Sequence, residues 1–342
     1  MKRPKDLYIF VLLICLNIGG IKGQVTFFDH KGEYQYFPIL KSDSIINEPF
    51  YFQLNNPKNP SHKQNISTSF LKSFFKDSLS KHNWNLLVNT ASTTQFLKEF
   101  CPVEGQLTTI KNGLIQLTAS SQEVMQLLVL DSWEYISQEN LNVREEAKVK
   151  DLDLGFSNIE KLLAENPYLN GEGMAVSIKE TSMDTLDVDL VKRSRWGINA
   201  DELSLDHATQ MGTIIAGAGN SSLKGLGVAP QATLYSSSFT PPIPDADSVY
   251  RLQRTWIQNH SYGTGIESFY GLLASSFDES AYKQAQLLHI LSAGNRGIEN
   301  DSLGPYTGIP TYSNLTGNFK LAKNVLCVGA IDTTGKPSLF SS

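Results

Sequence analysis

Short apolar segments alternate with helical stretches from about residue 151 to the end of the sequence. The apolar segments have the length of buried strands and lie at 174–178, 232–236, 255–259, 287–292 and 325–331. Two amphipathic stretches between them, at 207–217 and 275–286, predict helices. Because strands that alternate with helices favour a parallel sheet, we expect residues 151–342 to form an α/β domain.

A different pattern occupies residues 83–137. Strand-like segments at 84–88, 106–117 and 133–137 are separated by helical stretches at 92–100 and 120–131. This order predicts a small α+β domain, two helices on an antiparallel sheet, within residues 81–145. The preceding segment, 24–80, is polar and interrupted by prolines and asparagines, so we expect an irregular leader there.

The first 23 residues have the three parts of a secretory signal. Lys2, Arg3 and Lys5 precede an apolar run at 7–16, and small residues lead up to Gly23. The apolar run is too short to span a bilayer comfortably. We therefore expect a secreted protein, cleaved near Gly23 and not attached to the membrane afterwards, with an uncleaved anchor as the alternative.

Composition narrows the possible partners and cofactors. The 342 residues are 41% hydrophobic and 18% charged, as in a globular protein, and the net charge of −5 favours neither nucleic acid nor an anionic membrane as a partner. Cys101 and Cys327 lie in different predicted domains, so we expect both to be free, buried thiols. Neither cysteine–histidine spacing nor acidic loops indicate a metal site, and we expect no metal and no cofactor.

Candidate catalytic side chains follow the predicted strands of the α/β domain. Glu180, Asn295 and the turn Ser261-Tyr262-Gly263 each come directly after a strand. Since ligands and catalytic groups gather at the carboxyl ends of parallel strands, these residues are candidates for one site. His207 stands at the start of a predicted helix beside small residues, where an imidazole can face a cleft as a general base.

Five segments in order resemble the motifs of the subtilisin-like serine peptidases, the subtilases. They are 171–182, 207–217, 225–232, 292–297 and 325–330. The pattern of residues 81–145 resembles the propeptide that precedes such peptidases, although an ordinary accessory domain has the same pattern. Ala208, Gln210 and Thr213 differ from the usual residues around the histidine, which indicates a divergent member.

The resemblance implies a role for each candidate residue. Glu180 stands where the family has its catalytic aspartate, and Asp184 is the alternative acid. His207 corresponds to the catalytic base, and Asn295 to the amide that donates to the oxyanion. The edge Ser261-Tyr262-Gly263 is similar to the one that pairs with an extended peptide or protein substrate. The propeptide would act as an intramolecular chaperone and inhibitor.

The resemblance also implies a serine nucleophile that these residues do not contain. In subtilases the nucleophile follows the segment similar to Phe340-Ser341-Ser342 by several further elements, and the sequence stops at Ser342. We therefore interpret the sequence as part of a secreted serine endopeptidase, inactive as written. The alternative is a pseudopeptidase that uses the same cleft as a peptide-binding module.

Overall fold

The chain forms two units, residues 1–139 and 140–342. The computed structural model describes residues 80–88, 113–120, 123–124, 133–138, 141–146, 157–200, 206–300 and 314–342, and the backbone of strands at 10–14, 24–28, 34–38, 51–55, 63–67 and 107–109. Within this part of the chain, no helix is long and apolar enough to cross a membrane.

The described residues of the first unit form two sheets. Strands β1 (Phe10–Ile14), β2 (Gln24–Phe28) and β3 (Tyr34–Pro38) form an antiparallel sheet in that order. The second sheet has the order β4-β5-β9-β6-β8-β7, and its strands are β4 (Tyr51–Asn55), β5 (Lys63–Ser67), β6 (Lys81–Val88), β7 (Leu107–Thr109), β8 (Leu114–Ser120) and β9 (Trp133–Ser137). Trp84, Leu86, Leu114, Trp133 and Ile136 are buried and form its core.

The strands of this unit agree in part with those that the sequence pattern predicts. The strands predicted at 84–88, within 106–117 and at 133–137 are present as β6, as β7 and β8, and as β9. Strands β2 to β5 lie within 24–80, where the sequence pattern predicts an irregular leader. Pro57 and Pro60 fall between β4 and β5 and so interrupt neither strand. The predicted helices at 92–100 and 120–131 lie outside the described residues, apart from 123–124, which are helical.

The second unit contains the predicted parallel sheet, with six strands in the order β12-β13-β11-β14-β16-β17. All five neighbouring pairs run parallel. The strands are β11 (Ala175–Glu180), β12 (Ser194–Trp196), β13 (Thr233–Ser238), β14 (Thr255–His260), β16 (Leu288–Ser292) and β17 (Leu326–Val328). The helices are α1 (Ile159–Glu165), α2 (Asp206–Ala216), α3 (Asp247–Gln253) and α4 (Leu272–Lys283). The predicted α/β architecture is therefore confirmed.

Helix α2 packs against the centre of this sheet through small residues. Ala208, Gly212 and Ala216 recur every four residues, form one stripe and are buried. A side chain at Gly212 would bring its Cβ to 3.0 Å from Leu190 Cδ1. The close approach that these residues allow puts the first turn of α2, which contains His207, beside the carboxyl end of β11.

A short two-stranded pairing lies outside the main sheet. Strand β10 (Arg144–Glu145) runs antiparallel to β15 (Tyr262–Gly263), with Arg144 opposite Gly263 and Glu145 opposite Tyr262. Both strands belong to the second unit. β15 follows β14 directly, so this pairing lies beyond the carboxyl end of the sheet's strands.

The edge strand β17 corrects the expectation for one cysteine. Cys327 is free, as predicted, but it is exposed instead of buried. Leu326 and Val328, on either side of it, are 49% and 47% exposed. β17 has one neighbour in the sheet, so its side chains are covered less than those of a central strand. Cys101 lies outside the described residues.

Candidate active site

Glu180 and His207 form a buried hydrogen-bonded pair at the carboxyl end of β11. The distance between Glu180 Oε2 and His207 Nδ1 is 3.0 Å. The two side chains are 0% and 1% exposed. The second carboxylate oxygen, Oε1, accepts a hydrogen bond of 2.9 Å from the backbone N–H of Ser261. Glu180 is therefore held at both oxygens, and it in turn fixes one nitrogen of the imidazole.

Burial also changes the proton affinity of this carboxyl group. It raises the pKa of Glu180 to about 7, although the hydrogen bond and charge of His207 and the N–H of Ser261 act in the opposite direction. The carboxylate of Glu145 adds a further upward shift. The hydrogen bond and charge of His207 and the Ser261 N–H favour the carboxylate form of Glu180, which is the form that can accept Nδ1–H from an imidazole.

Asp184, the alternative acid, is engaged elsewhere. Its Oδ1 accepts a hydrogen bond of 2.8 Å from the backbone N–H of Leu186. Its own N–H donates to Thr209 Oγ1, also at 2.8 Å. Asp184 therefore stabilises the turn after β11, and Glu180 is the acid that contacts His207.

Asn295 lies in a tight turn directly after β16. Gly294, which precedes it, has φ of +119°, a conformation that favours glycine. A Cβ at Gly294 would lie 2.3 Å from Thr316 Oγ1, so Thr316 closes against the turn. The N–H of Ser342 donates to the carbonyl of Gly294 at 2.9 Å. Asn295 itself is half-buried at the same edge of the sheet as Glu180.

The edge Ser261-Tyr262-Gly263 is paired with a segment of the same chain. Besides the β10–β15 pairing, the N–H of Glu146 donates to the carbonyl of Ser261 at 3.3 Å. The edge that the sequence assigned to an extended substrate therefore lies against residues 144–146.

The side chain of Glu145 brings a second carboxylate to the buried pair. One ligand atom from each of Glu145, Glu180 and His207 lies within 4.8 Å of the other two. Glu145 Oε1 also accepts a hydrogen bond of 2.8 Å from Thr181 Oγ1. These three residues could offer ligands to a metal ion, but an ion there would compete with the Glu180–His207 hydrogen bond.

Glu146 forms an ion pair with a buried lysine. Its Oε1 lies 2.8 Å from Lys320 Nζ, and the two side chains are 11% and 0% exposed respectively. Burial acts to raise the pKa of Glu146, but the Lys320 ammonium and hydrogen bonds from Lys320, Ser292 and Thr316 hold it below its ordinary value. The pair is charged and almost fully enclosed.

Comparison with protein families identifies the second unit. The family model of the subtilases matches residues 145–342, more than half of the chain. The chain belongs to the subtilase family. The matched range begins at Glu145, which is one of the two β10 residues that pair with β15. A comparison of this subtilase with curated protein sequences finds no match.

Solved structures of three proteases are similar to this subtilase. The epidermin leader peptide processing serine protease EpiP from Staphylococcus aureus is 14% identical, with a TM-score of 0.51 over 77% of this chain and 72% of that protein. Fervidolysin from Fervidobacterium pennivorans, a keratinolytic enzyme related to subtilisin, is 17% identical, with a TM-score of 0.40 over 66% and 41% of the two chains. The MycP3 protease of the type VII (ESX-3) secretion system is 21% identical, with a TM-score of 0.39 over 59% and 65%.

The sequence pattern indicates one part of this site and not the other. It singled out Glu180 and His207, which the structure brings into contact, and Ser261, whose N–H binds Glu180. It did not single out Glu145, Glu146 or Lys320. Glu146 and Lys320 are separated by 174 positions, and no motif or periodicity connects them. The one local signal was a pair of adjacent glutamates immediately before the α/β domain.

Proposed function

We propose that this subtilase is a secreted serine-type endopeptidase in which Glu180 and His207 are the acid and base of an acid–His–Ser triad. The hydrogen bond between Glu180 Oε2 and His207 Nδ1 is the observation that carries the proposal. This hydrogen bond is buried and lies at the carboxyl end of a parallel strand, and the chain that contains it belongs to a family of serine peptidases. The serine nucleophile would be supplied by residues outside these 342.

Each residue has a defined part in peptide hydrolysis. His207 takes the proton of the serine hydroxyl through Nε2 as the serine attacks the peptide carbonyl, and later gives it to the leaving amine. Glu180 holds Nδ1–H in the required tautomer and stabilises the imidazolium. The side-chain amide of Asn295 donates to the oxyanion, and Ser261-Tyr262-Gly263 aligns the extended substrate.

The segments before the peptidase unit would serve its export and folding. Residues 1–23 would act as a signal peptide, and residues 81–145 as a propeptide that assists folding and inhibits the enzyme. The antiparallel pairing of β10 with β15 supports inhibition, because it occupies the edge that a substrate would use.

Activity measurements on two proteins test this function. The product of the whole reading frame and the 342-residue chain would each be treated with a fluorophosphonate probe and a mixed peptide library. We expect the whole product to be labelled and to cleave peptides, and the 342-residue chain to do neither. His207→Ala in the whole product is the control and should abolish labelling.

The contrary result would favour the pseudopeptidase. If the whole product folds and binds peptides but is neither labelled nor able to cleave any peptide, the enzyme proposal fails. The Glu180–His207 pair would then belong to a peptide-binding cleft.

A further inference from the structure

The pocket that receives the Glu146 side chain is built to hold a carboxylate. Lys320 Nζ lies 2.8 Å from Glu146 Oε1, and Thr316 Oγ1 donates to the same oxygen at 2.6 Å. The side chain of Lys320 is 0% exposed, so its charge is removed from water. A buried ammonium requires a counter-charge, because an unpaired buried charge is strongly unfavourable.

Lys320 is held in place by the protein around it. It lies in the short 3-10 helix Asn318–Leu321, directly after the buried Phe319. Its ammonium also lies 2.6 Å from Thr316 Oγ1 and 3.4 Å from Ser292 Oγ, at the end of β16. These hydroxyl groups are neutral. Among the described hydrogen-bond partners of the Lys320 ammonium, the carboxylate is that of Glu146. If Glu146 leaves the pocket, the Lys320 ammonium lacks the carboxylate that opposes the effect of burial, and a second carboxylate in the same place would restore it.

The backbone of Glu146 lies where a substrate residue would lie. Its N–H donates to Ser261 O, and Ser261 N–H donates to the catalytic-acid candidate Glu180. The preceding side chain, that of Glu145, reaches the Glu180–His207 pair. On the other side, Thr316 contacts both the Glu146 carboxylate and Gly294, which precedes Asn295. Glu146 thus lies between the acid–base pair and the oxyanion turn.

We infer that Lys320 forms a specificity pocket for an acidic side chain, and that Glu146 fills it from within the same chain. The inference rests on the proposed function: the substrates are peptides with glutamate or aspartate immediately before the hydrolysed bond. In that hydrolysis the C–N bond after the acidic residue breaks. Water supplies the hydroxyl of the new carboxyl group and the proton taken up by the new amine.

Peptide cleavage by the product of the whole reading frame is the first test. Peptides that differ only in carrying glutamate, glutamine or lysine before the cleaved bond would be compared by kcat/KM. We expect kcat/KM to be about 30-fold or more higher for the glutamate peptide than for the glutamine peptide, because a bound glutamine side chain leaves the Lys320 ammonium without a counter-charge. Lys320→Met should reduce this ratio to near one.

Lys323→Met is the matched control, since Lys323 is exposed three residues further along the chain. It should keep the preference for glutamate. Cleavage of all three peptides at similar rates by the unsubstituted protein would overturn the inference and leave the proposed function intact.

A second test needs no catalytic activity and uses the 342-residue chain. Glu146→Ala empties the pocket, and acetate can then take the place of the missing carboxylate. We expect acetate to raise the Tm of this variant more than chloride at equal ionic strength does, since a ligand that binds the folded state stabilises it. The double variant Glu146→Ala/Lys320→Met should respond equally to the two salts.

The two tests separate the two proposals. If no peptide is cleaved but acetate stabilises Glu146→Ala selectively, the acidic pocket stands and the peptidase proposal fails. If acetate stabilises the Glu146→Ala and unsubstituted chains equally, the pocket does not select a carboxylate and the inference is overturned. Glu146→Ser provides the same comparison if the alanine variant does not fold.

Discussion

At the scale of single residues, the site depends on how both oxygens of Glu180 are used. One accepts from Ser261 N–H and the other contacts His207 Nδ1. Glu180 stands at the position where the subtilase family has aspartate. It is the last residue of β11, and its side chain, one methylene longer than that of aspartate, reaches the imidazole. The sequence left Asp184 open as the acid, because it follows Glu180 by only four positions and the local pattern does not show which of the two faces the helix.

Exchanging each acid for its amide distinguishes them. In the product of the whole reading frame, we expect Glu180→Gln to lower kcat by about 10⁴-fold, because the amide no longer holds the imidazole in the required tautomer. Asp184→Asn is the matched control and should change kcat by less than about twofold, since Asp184 contacts the turn and not the imidazole. Equal losses in the two variants would contradict the assignment.

At the scale of elements, a chain of buried polar groups lies behind the carboxyl ends of β14 and β16. His260 Nδ1 lies 3.0 Å from Tyr262 OH, and His260 Nε2 lies 3.1 Å from His289 Nδ1. His289 Nε2 in turn lies 3.1 Å from Ser280 Oγ on α4. Sequence analysis found the two strands, but it could not show that they are neighbours with these imidazoles in contact.

These histidines should make the protein sensitive to acid. Burial lowers the pKa of His289 to about 3. Burial is also the largest cause that lowers the pKa of His260 well below its usual value, and the charges of His289 and of two lysines add to it. The pKa values of these histidines are lower in the folded state than in the unfolded state. The free energy of unfolding is therefore unaffected by them above about pH 6.5 and decreases as the pH falls below it. We expect His289→Gln to reduce the slope of unfolding free energy against pH by up to about 1.4 kcal/mol per pH unit between about pH 6 and pH 4.

Denaturant titrations across that pH range would measure this effect. His82→Gln, at a half-buried position in the other unit, is the matched control. Parallel stability curves for the His289→Gln and unsubstituted chains would show that the buried imidazoles do not govern acid sensitivity.

A buried ion pair ties β11 to the loop that precedes α3. Lys179 Nζ lies 2.9 Å from Asp245 Oδ1, and the two side chains are 3% and 2% exposed. Asp245 also accepts hydrogen bonds from Ser237 and Gln258. We expect Lys179→Met to reduce the free energy of unfolding by about 3–5 kcal/mol, because it leaves a buried carboxylate without its cation.

Denaturant unfolding of three variants tests this pair. Lys179→Met/Asp245→Asn should recover part of the loss, since the uncompensated charge is gone. Lys161→Met, which removes an exposed pair with Glu165, should cost less than about 1 kcal/mol. A loss of similar size in Lys161→Met and Lys179→Met would show that burial of the pair is not the cause.

At the scale of the whole molecule, residues 140–146 belong to the second unit although they precede the α/β domain in sequence. Their strand β10 pairs with β15, and Glu146 enters the Lys320 pocket. If these residues lie as a substrate lies, the enzyme would cut its own chain after Glu146. Maturation of the product of the whole reading frame should therefore leave Ala147 as the new amino terminus.

Amino-terminal sequencing and intact mass of the purified product would measure this cleavage. Glu146→Lys should slow it, because two ammonium groups would meet in the pocket, whereas Lys323→Glu should not change it. A mature amino terminus far from residue 147 would show that residues 144–146 occupy the edge without being cut.

The sequence by itself determined the parallel sheet, the helix that begins near His207 and the candidates at the strand ends. These features are local: apolar periodicity, strand length and the residues that follow each strand decide them. The tertiary structure alone decided that Glu180 rather than Asp184 contacts His207, that Cys327 is exposed, and that Glu146 pairs with Lys320. Each of these depends on which distant segments become neighbours, and burial and electrostatic pairing arise only when the strands have taken their order in the sheet.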